Sequence, residues 1–235
     1  MCFSETQSYI NAALLVGTGI YASPNYKLSL TAIYFSIKEL LQGLLYKYQG
    51  NKSMLKLLGI GSWIHIAFQP LFLNIFYSHF VPNFKFWNIV FILCIILGII
   101  ISMELDALDI QNDPDCTSDN PNDDFCSKET GGYMGKYHIG YKFKTDKRWE
   151  PINMWHYWLF LGFGIVLFTK GYPLGISFLI FVFSIYSIYN YLNNIQGIPG
   201  TVQEYSGEKA AIWCFLTVGF VPLILYEKKI RKLLI

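Results

Sequence analysis

Charge is what this chain has least of: 14% of its 235 residues are charged, against about 25% in an ordinary soluble domain. The shortage is uneven, because Glu104 to Glu150 holds 11 of the 16 acids and 6 of the 18 bases. The other 188 residues carry 17 charges, about 9%, which argues against a free soluble globule and for a chain embedded in lipid. A basic n-region before the first apolar run is also lacking, as is an A-x-A-like cleavage site after it. The first helix is therefore expected to stay in the mature protein. No internal repeat is visible, which excludes a solenoid. The one biased tract is the Asp/Asn-rich stretch from Asp113 to Asp124.

What is present in quantity is apolar sequence. A helix crosses the hydrocarbon core with about 20 largely apolar residues. Six stretches contain no Asp, Glu, Lys or Arg: 6–26, 57–84, 86–103, 151–169, 171–203 and 210–226. A seventh, Leu28 to Tyr46, is interrupted only by Lys38 and Glu39. Trimmed at flanking Gly, Pro and Asn, these predict helices near 8–22, 28–46, 55–78, 84–104, 155–170, 173–194 and 210–226, with a long loop over 105–154. The expected fold is all-α: one polytopic integral membrane domain over 1–235, a seven-helix transmembrane bundle with one long acidic extramembrane loop containing a strand-like segment.

Orientation follows the excess of Lys and Arg in short loops. Lys27, Lys85, Lys170, Lys228, Lys229, Arg231 and Lys232 share one side, against Lys47, Lys52 and Lys56 in the short basic loop opposite. This places the C-terminus in the cytosol, and the N-terminus and acidic loop outside. Cys116 and Cys126 flank a Pro-containing acidic segment of that loop, where an oxidising compartment allows a disulfide. Asn51-Lys52-Ser53 matches a glycosylation acceptor in a short outer loop. Asp113, Asp115, Asp119, Asp123 and Asp124 lack the EF-hand spacing and its closing Glu, so they read as a solvated acidic loop and no metal site is assigned.

Ionisable groups inside a span cost about 2.5 to 3.5 kcal/mol each on insertion scales, so they face the bundle interior or water. On the second helix Ser36, Glu39, Gln42 and Gly43 form one stripe, with Lys38 a quarter-turn away at its edge. The third helix repeats the pattern with Gly61, Ser62, His65 and Gln69. Pro70 follows, where a kink is expected. Facing stripes would join Glu39, Gln42, His65 and Gln69 at mid-membrane, and with Lys38 these are the leading candidates for a transport pathway. The structural alternative for each is a hydrogen bond between helices.

From Tyr133 to Lys144 residue type alternates, with Tyr133, Gly135, Tyr137, Ile139, Tyr141 and Phe143 on one side. Period two predicts a half-buried extended strand, which would lie either across the outer mouth as a lid or at the interface with its tyrosines at headgroup level. Cys2, His138, Glu204 and Glu208 are expected on the same outer side. With Met1 removed, Cys2 would present both an amine and a thiol there.

Met1-Cys2-Phe3-Ser4 with Ser8, the Gly-Tyr-Met-Gly-Lys-Tyr-His run at 132–138, and Gly207-Glu208 leading to Trp213-Cys214 resemble a group of uncharacterised multi-pass membrane proteins of microbes and large DNA viruses. Their chains begin Met-Cys-Phe/Trp-Ser and end with a Trp-Cys helix. The resemblance implies architecture and carries no activity with it. Seven-helix families of known chemistry fit less well. A microbial rhodopsin needs its retinal lysine within the last helix, where this chain has Lys209 only at the start. A ceramidase-like zinc hydrolase needs paired histidines that His65, His79, His138 and His156 do not supply.

Three functions follow in order of preference. The first is a channel or transporter for protons or small cations through the Glu39 cluster. The second is a membrane-embedded enzyme using Cys2 and His138 with Glu39 or His65. The third is a structural or assembly subunit. The bilayer is the expected partner, nucleic acid is not expected, a homo-oligomer or membrane-complex partner stays open, and no cofactor is assigned.

Overall fold

The computed structural model describes residues 4–81, 85–105, 130–134, 139–143 and 219–229. These are mostly helical, as the all-α expectation requires, in the order α1 (Glu5–Tyr21), α2 (Tyr26–Lys47), α3 (Lys52–Phe80), α4 (Trp87–Met103), β1 (Gly131–Met134), β2 (Ile139–Lys142) and α5 (Phe220–Leu225). Five helices are therefore described where seven were expected. The expected spans at 155–170 and 173–194 lie outside the described residues, and the described end of the 210–226 stretch is the six-residue α5.

Side-chain caps fix where the first three helices begin. Ser4 Oγ accepts from Gln7 N at 3.2 Å. Asn25 Oδ1 accepts from Lys27 N at 3.2 Å and Leu28 N at 3.4 Å. Asn51 Oδ1 accepts from Met54 N at 3.1 Å. Each cap satisfies backbone donors that a helix start leaves open, worth about 1 kcal/mol. The same role draws Asn51, the expected glycosylation acceptor, into the start of α3. The connections 22–25 and 48–51 are short, so α1, α2 and α3 run antiparallel to their sequence neighbours, and α4 packs on α3. Helix α3 runs continuously through Pro70.

Close approach of α1 and α2 depends on Gly43. A Cβ built there would lie 2.5 Å from Tyr9 Cε1, so only glycine admits that ring against the α2 backbone. The main apolar cluster joins Leu15 of α1, Phe35 and Leu45 of α2, Trp63 of α3 and Ile101 of α4. Trp63 Nε1 donates to Ile101 O at 2.8 Å, tying α3 to α4.

Residues β1 and β2 form an antiparallel hairpin, with Gly132 opposite Tyr141 and Met134 opposite Ile139. The expected single strand is thus two. On and just after the second strand Ile139, Tyr141 and Phe143, expected on one side, are all buried. Phe143 packs on Trp63 with ring centroids 4.7 Å apart, and Ile139 N donates to Tyr46 Oη at 3.1 Å. The hairpin therefore covers the end of the bundle where α2 finishes and α3 starts. Gly59 allows this, because a Cβ there would stand 2.7 Å from Gly131 Cα. The alternation expected from Tyr133 onward takes in the second half of β1, whereas Gly131 and Gly132 carry no side chain to read.

Among the described residues, α3 alone is long and apolar enough to cross a bilayer by length and composition. Helix α4 is apolar throughout but has 17 residues.

Candidate functional site

Helix α2 is about 33 Å long at 1.5 Å per residue, and Glu39 sits about 12 Å from its C-terminal end, off centre toward the hairpin. Its side chain is 0% exposed and that of Lys38 is 2% exposed. Lys38 Nζ donates to Glu39 Oε1 at 2.9 Å. The two side chains leave the helix about 100° apart, and the long lysine stem closes that angle. Lys38 thus belongs to the cluster rather than to its edge.

The second Glu39 oxygen faces α1. Asn11 Nδ2 donates to Glu39 Oε2 at 3.2 Å, and Gln7 Nε2 donates to Asn11 Oδ1 at 2.9 Å. A polar thread therefore runs from half-buried Gln7, one turn inside the start of α1, through Asn11 to the ion pair. One turn from Asn11 and Glu39, in the same direction on their antiparallel helices, stand Ser8 and Gln42. Both are fully buried. Ser8 Oγ and both Gln42 amide atoms make no hydrogen bond with the described residues. A buried polar group left so costs about 1 to 3 kcal/mol, and such groups characteristically hold ordered water or a small polar ligand. The arrangement can neutralise, exchange and hydrate charge inside an apolar bundle.

His65 and Gln69 are buried on α3 as expected, but the hydrogen bonds of His65 go elsewhere than Glu39. Its Nε2 meets the Tyr34 carbonyl at 2.9 Å, and the Tyr34 hydroxyl donates to the His65 carbonyl. The two rings stack with centroids 4.1 Å apart. A carbonyl only accepts, so Nε2 carries the proton, and in the neutral ring Nδ1 bears the lone pair. Glu39 is thus bonded to Asn11 of α1, a partner that the expectation of facing stripes did not name. The sequence signal was available in Ser8 and Asn11, polar residues one turn apart in an apolar helix.

A second polar cluster, which the sequence reading missed, closes the opposite end. The backbone donors at the start of α2 fix Asn25 Oδ1, so Asn25 Nδ2 donates to His79 Nδ1 at 2.7 Å. His79 Nε2 then carries the proton and donates to Glu227 Oε1 at 2.9 Å. Lys27 Nζ donates to Ser78 O at 3.2 Å, near the end of α3. Partial burial pushes the Lys27 ammonium below its ordinary pKa. The cluster joins α2, α3 and the residues just after α5, parts of the chain no local pattern relates.

Cys2, His138, Glu204 and Glu208, expected at the outer mouth, lie outside the described residues, as do Cys116 and Cys126. No group of three or more metal-ligating side chains occurs among the described residues.

Compared with known proteins, residues 9–235 match a family of unknown function (DUF5765), in line with the resemblance to an uncharacterised family. No curated protein and no solved structure matches the chain.

Proposed function

The chain belongs to DUF5765, and we propose that it is a multi-pass integral membrane protein, a seven-helix bundle, that conducts or transports protons or small cations through the buried polar core around Glu39. The observation that carries this reading is an inside-out distribution of polarity. Helices α1 and α2 bury Ser8, Asn11, Lys38, Glu39 and Gln42 while Ile10, Leu14, Ile33, Ile37 and Leu40 stand exposed. A water-soluble helix does the reverse, whereas lipid favours apolar residues outside and reserves ionisable groups for internal pathways. The exposed Ile89, Ile92, Ile96 and Ile99 of α4 add to the same pattern.

The test is proton and cation flux in proteoliposomes. Glu39→Gln is expected to bring flux to background. That change breaks the buried Lys38–Glu39 ion pair, and removing one partner of such a pair costs about 3 to 5 kcal/mol, whereas removing both charges together is often neutral. The double variant Lys38→Met/Glu39→Gln therefore serves as the well-folded comparison, and it too is expected to be silent. Flux at the wild-type level in either variant overturns the reading.

A structural subunit is the second reading, favoured by one observation: both Glu39 oxygens are already bonded within the bundle. On that reading wild-type protein carries no flux, and both variants alter only stability. Membrane-embedded thiol chemistry at Cys2 and His138 rests on residues without described geometry.

A further inference from the structure

The buried polar side chains of α1 and α2 are satisfied on one side of Glu39 and left open on the other. Toward the start of α2, each buried hydroxyl of the two helices has a backbone acceptor. Ser36 Oγ donates to Ile33 O at 2.6 Å, Thr31 Oγ1 lies between Lys27 O at 2.9 Å and Phe72 O at 3.1 Å, and Thr18 Oγ1 donates to Leu14 O at 2.8 Å. Leu15, Ala32 and Phe35 on that side are fully buried and apolar. Toward the hairpin, Ser8 Oγ, Gln42 Oε1 and Gln42 Nε2 are buried and make no hydrogen bond with the described residues. The bond from Asn11 to Glu39 at 3.2 Å fixes the register of the antiparallel helices. Ser8 and Gln42 each stand one turn beyond it, about 4.5 Å along the axis, and so lie at one level.

We infer that Ser8 and Gln42 line a buried water site, and that water reaches Glu39 from the hairpin side. The site stands on these open polar atoms, whereas its use as the entrance for protons rests on the transport reading above. The chemistry of the atoms selects the occupant. Gln42 offers a donor and an acceptor together, and the Ser8 hydroxyl serves as either. A metal ion would meet the Gln42 N–H groups and an anion its carbonyl, while water answers both. The occupant is also small, because the next turn of α2 is roofed by the hairpin. A Cβ on Gly132 would stand 2.8 Å from Leu45 Cδ2, so glycine there lets the strand settle on the Leu45 side chain. Buried water characteristically satisfies polar groups of this kind and is absent from apolar space, which ends the hydration where Leu15 and Phe35 begin. Gln7, half-buried near the start of α1 and bonded to Asn11 at 2.9 Å, marks the way in. On the transport reading, a hydronium ion at this site gives its proton to Glu39 and leaves water in place.

The first experiment follows S–H to S–D exchange by infrared spectroscopy, with full-length protein in lipid moved from H2O into D2O. Ser8→Cys replaces the hydroxyl by a thiol of nearly the same shape. Leu15→Cys puts a thiol one turn from Asn11 on the other side, and the wild-type spectrum subtracts the native cysteines. The new S–H band is expected to be lost at once in Ser8→Cys, and in Leu15→Cys only as slowly as the bundle opens. A band in Ser8→Cys as long-lived as that in Leu15→Cys overturns the water site. Equally fast loss in both overturns its sidedness. Should Ser8→Cys fail to fold, Gln42→Cys takes its place in the same comparison.

The entrance is tested by proton flux in proteoliposomes with Ser8→Ala/Gln42→Leu. Apolar groups there replace polar ones of similar shape, a change that is often neutral for stability. Flux is expected to fall at least about tenfold. Flux at the wild-type level in the folded double variant overturns the entrance, and Ser8→Ala alone stands in where the double variant does not fold. A wild type without proton flux overturns the transport reading, and exchange in Ser8→Cys still decides the water site.

Discussion

The two polar clusters of this bundle are built from similar parts and differ in where they stand. Each joins an acid to a nitrogen base and an amide: Glu39 with Lys38 and Asn11 toward one end, Glu227 with His79 and Asn25 at the other. The Asn25 cluster sits at helix ends, where its groups meet needs the fold already has. Asn25 caps α2, His79 lies in the last turn of α3, and Lys27 reaches a carbonyl near the end of that helix. The Glu39 cluster lies well inside α2, where regular helix hydrogen bonding leaves no backbone group in need of it. A neutral, apolar contact would have joined α1 and α2 more cheaply. Polarity that the fold requires reads as structure, and polarity that costs the fold stability calls for a function.

That comparison predicts opposite phenotypes for the two acids. Glu39→Gln and the double Lys38→Met/Glu39→Gln are expected to remove flux. Glu227→Gln is expected to leave flux intact and to lower thermal stability, because His79 loses a charged acceptor worth about 1 kcal/mol more than a neutral one. Flux assays and thermal unfolding on the same preparations check both. A Glu227→Gln protein without flux would erase the distinction between the clusters.

Next in size is the α1–α2 seam that presents Asn11 to Glu39. Gly43→Ala places a methyl group 2.5 Å from Tyr9 Cε1, and overpacking of this kind costs about 1 to 3 kcal/mol. Separation of the helices should also lengthen the Asn11 bond and reduce flux. Tyr9→Ala added to Gly43→Ala should restore part of both. A single variant with wild-type melting temperature and flux would show that the seam yields without consequence. Gly59→Val tests the hairpin similarly, since its side chain must displace the Gly131 backbone. Loss of stability of similar size is expected, with any change in flux arising at the mouth rather than at Glu39.

His79→Ala comes lower on the scale. It removes the link between Asn25 and Glu227 while leaving the Asn25 cap in place. Loss of about 1 kcal/mol is expected, the typical worth of such a bond, together with faster proteolysis near residue 227. Unchanged proteolysis would mean that the chain after α5 is held by its apolar contacts, Ile224 against Phe76 and Phe80.

How much of this was legible in the sequence depends on whether the signal was local. Helices α1 to α4 coincide with the first four apolar stretches, because a long apolar run, preceded in the first three by a capping residue, specifies a helix whatever surrounds it. Burial of Glu39, Gln42, His65 and Gln69 was legible for the same reason, as one face of a helix has a fixed period. Partners were not. Sequence spacing says which residues share a face and not which helix that face meets, so the bond from Asn11 of α1 to Glu39 was not anticipated. Lys38 was counted with the pathway although its Cβ direction diverges from the stripe, and its side chain of four methylenes returns to Glu39. The Asn25–His79–Glu227 cluster carried no periodic signal at all.

The smallest effect expected is at Lys27, and it tests the helix-end cluster from its rim. Its pKa in the folded protein lies below the ordinary 10.5 because burial disfavours the charged form. In the window between that lowered value and 10.5, the unfolded chain binds more protons than the folded one, so this residue's contribution to stability rises with pH. Below the window the ammonium is charged in both states and its desolvation counts fully against folding. Lys27→Met removes that dependence, at the loss of the hydrogen bond to Ser78 O. The difference between wild-type and variant stability should therefore grow in favour of the wild type as pH rises through the alkaline window. Every tyrosine and other lysine titrates in both proteins and cancels in that difference. A difference that is flat with pH would place the Lys27 ammonium in water, and the cluster would then end at His79.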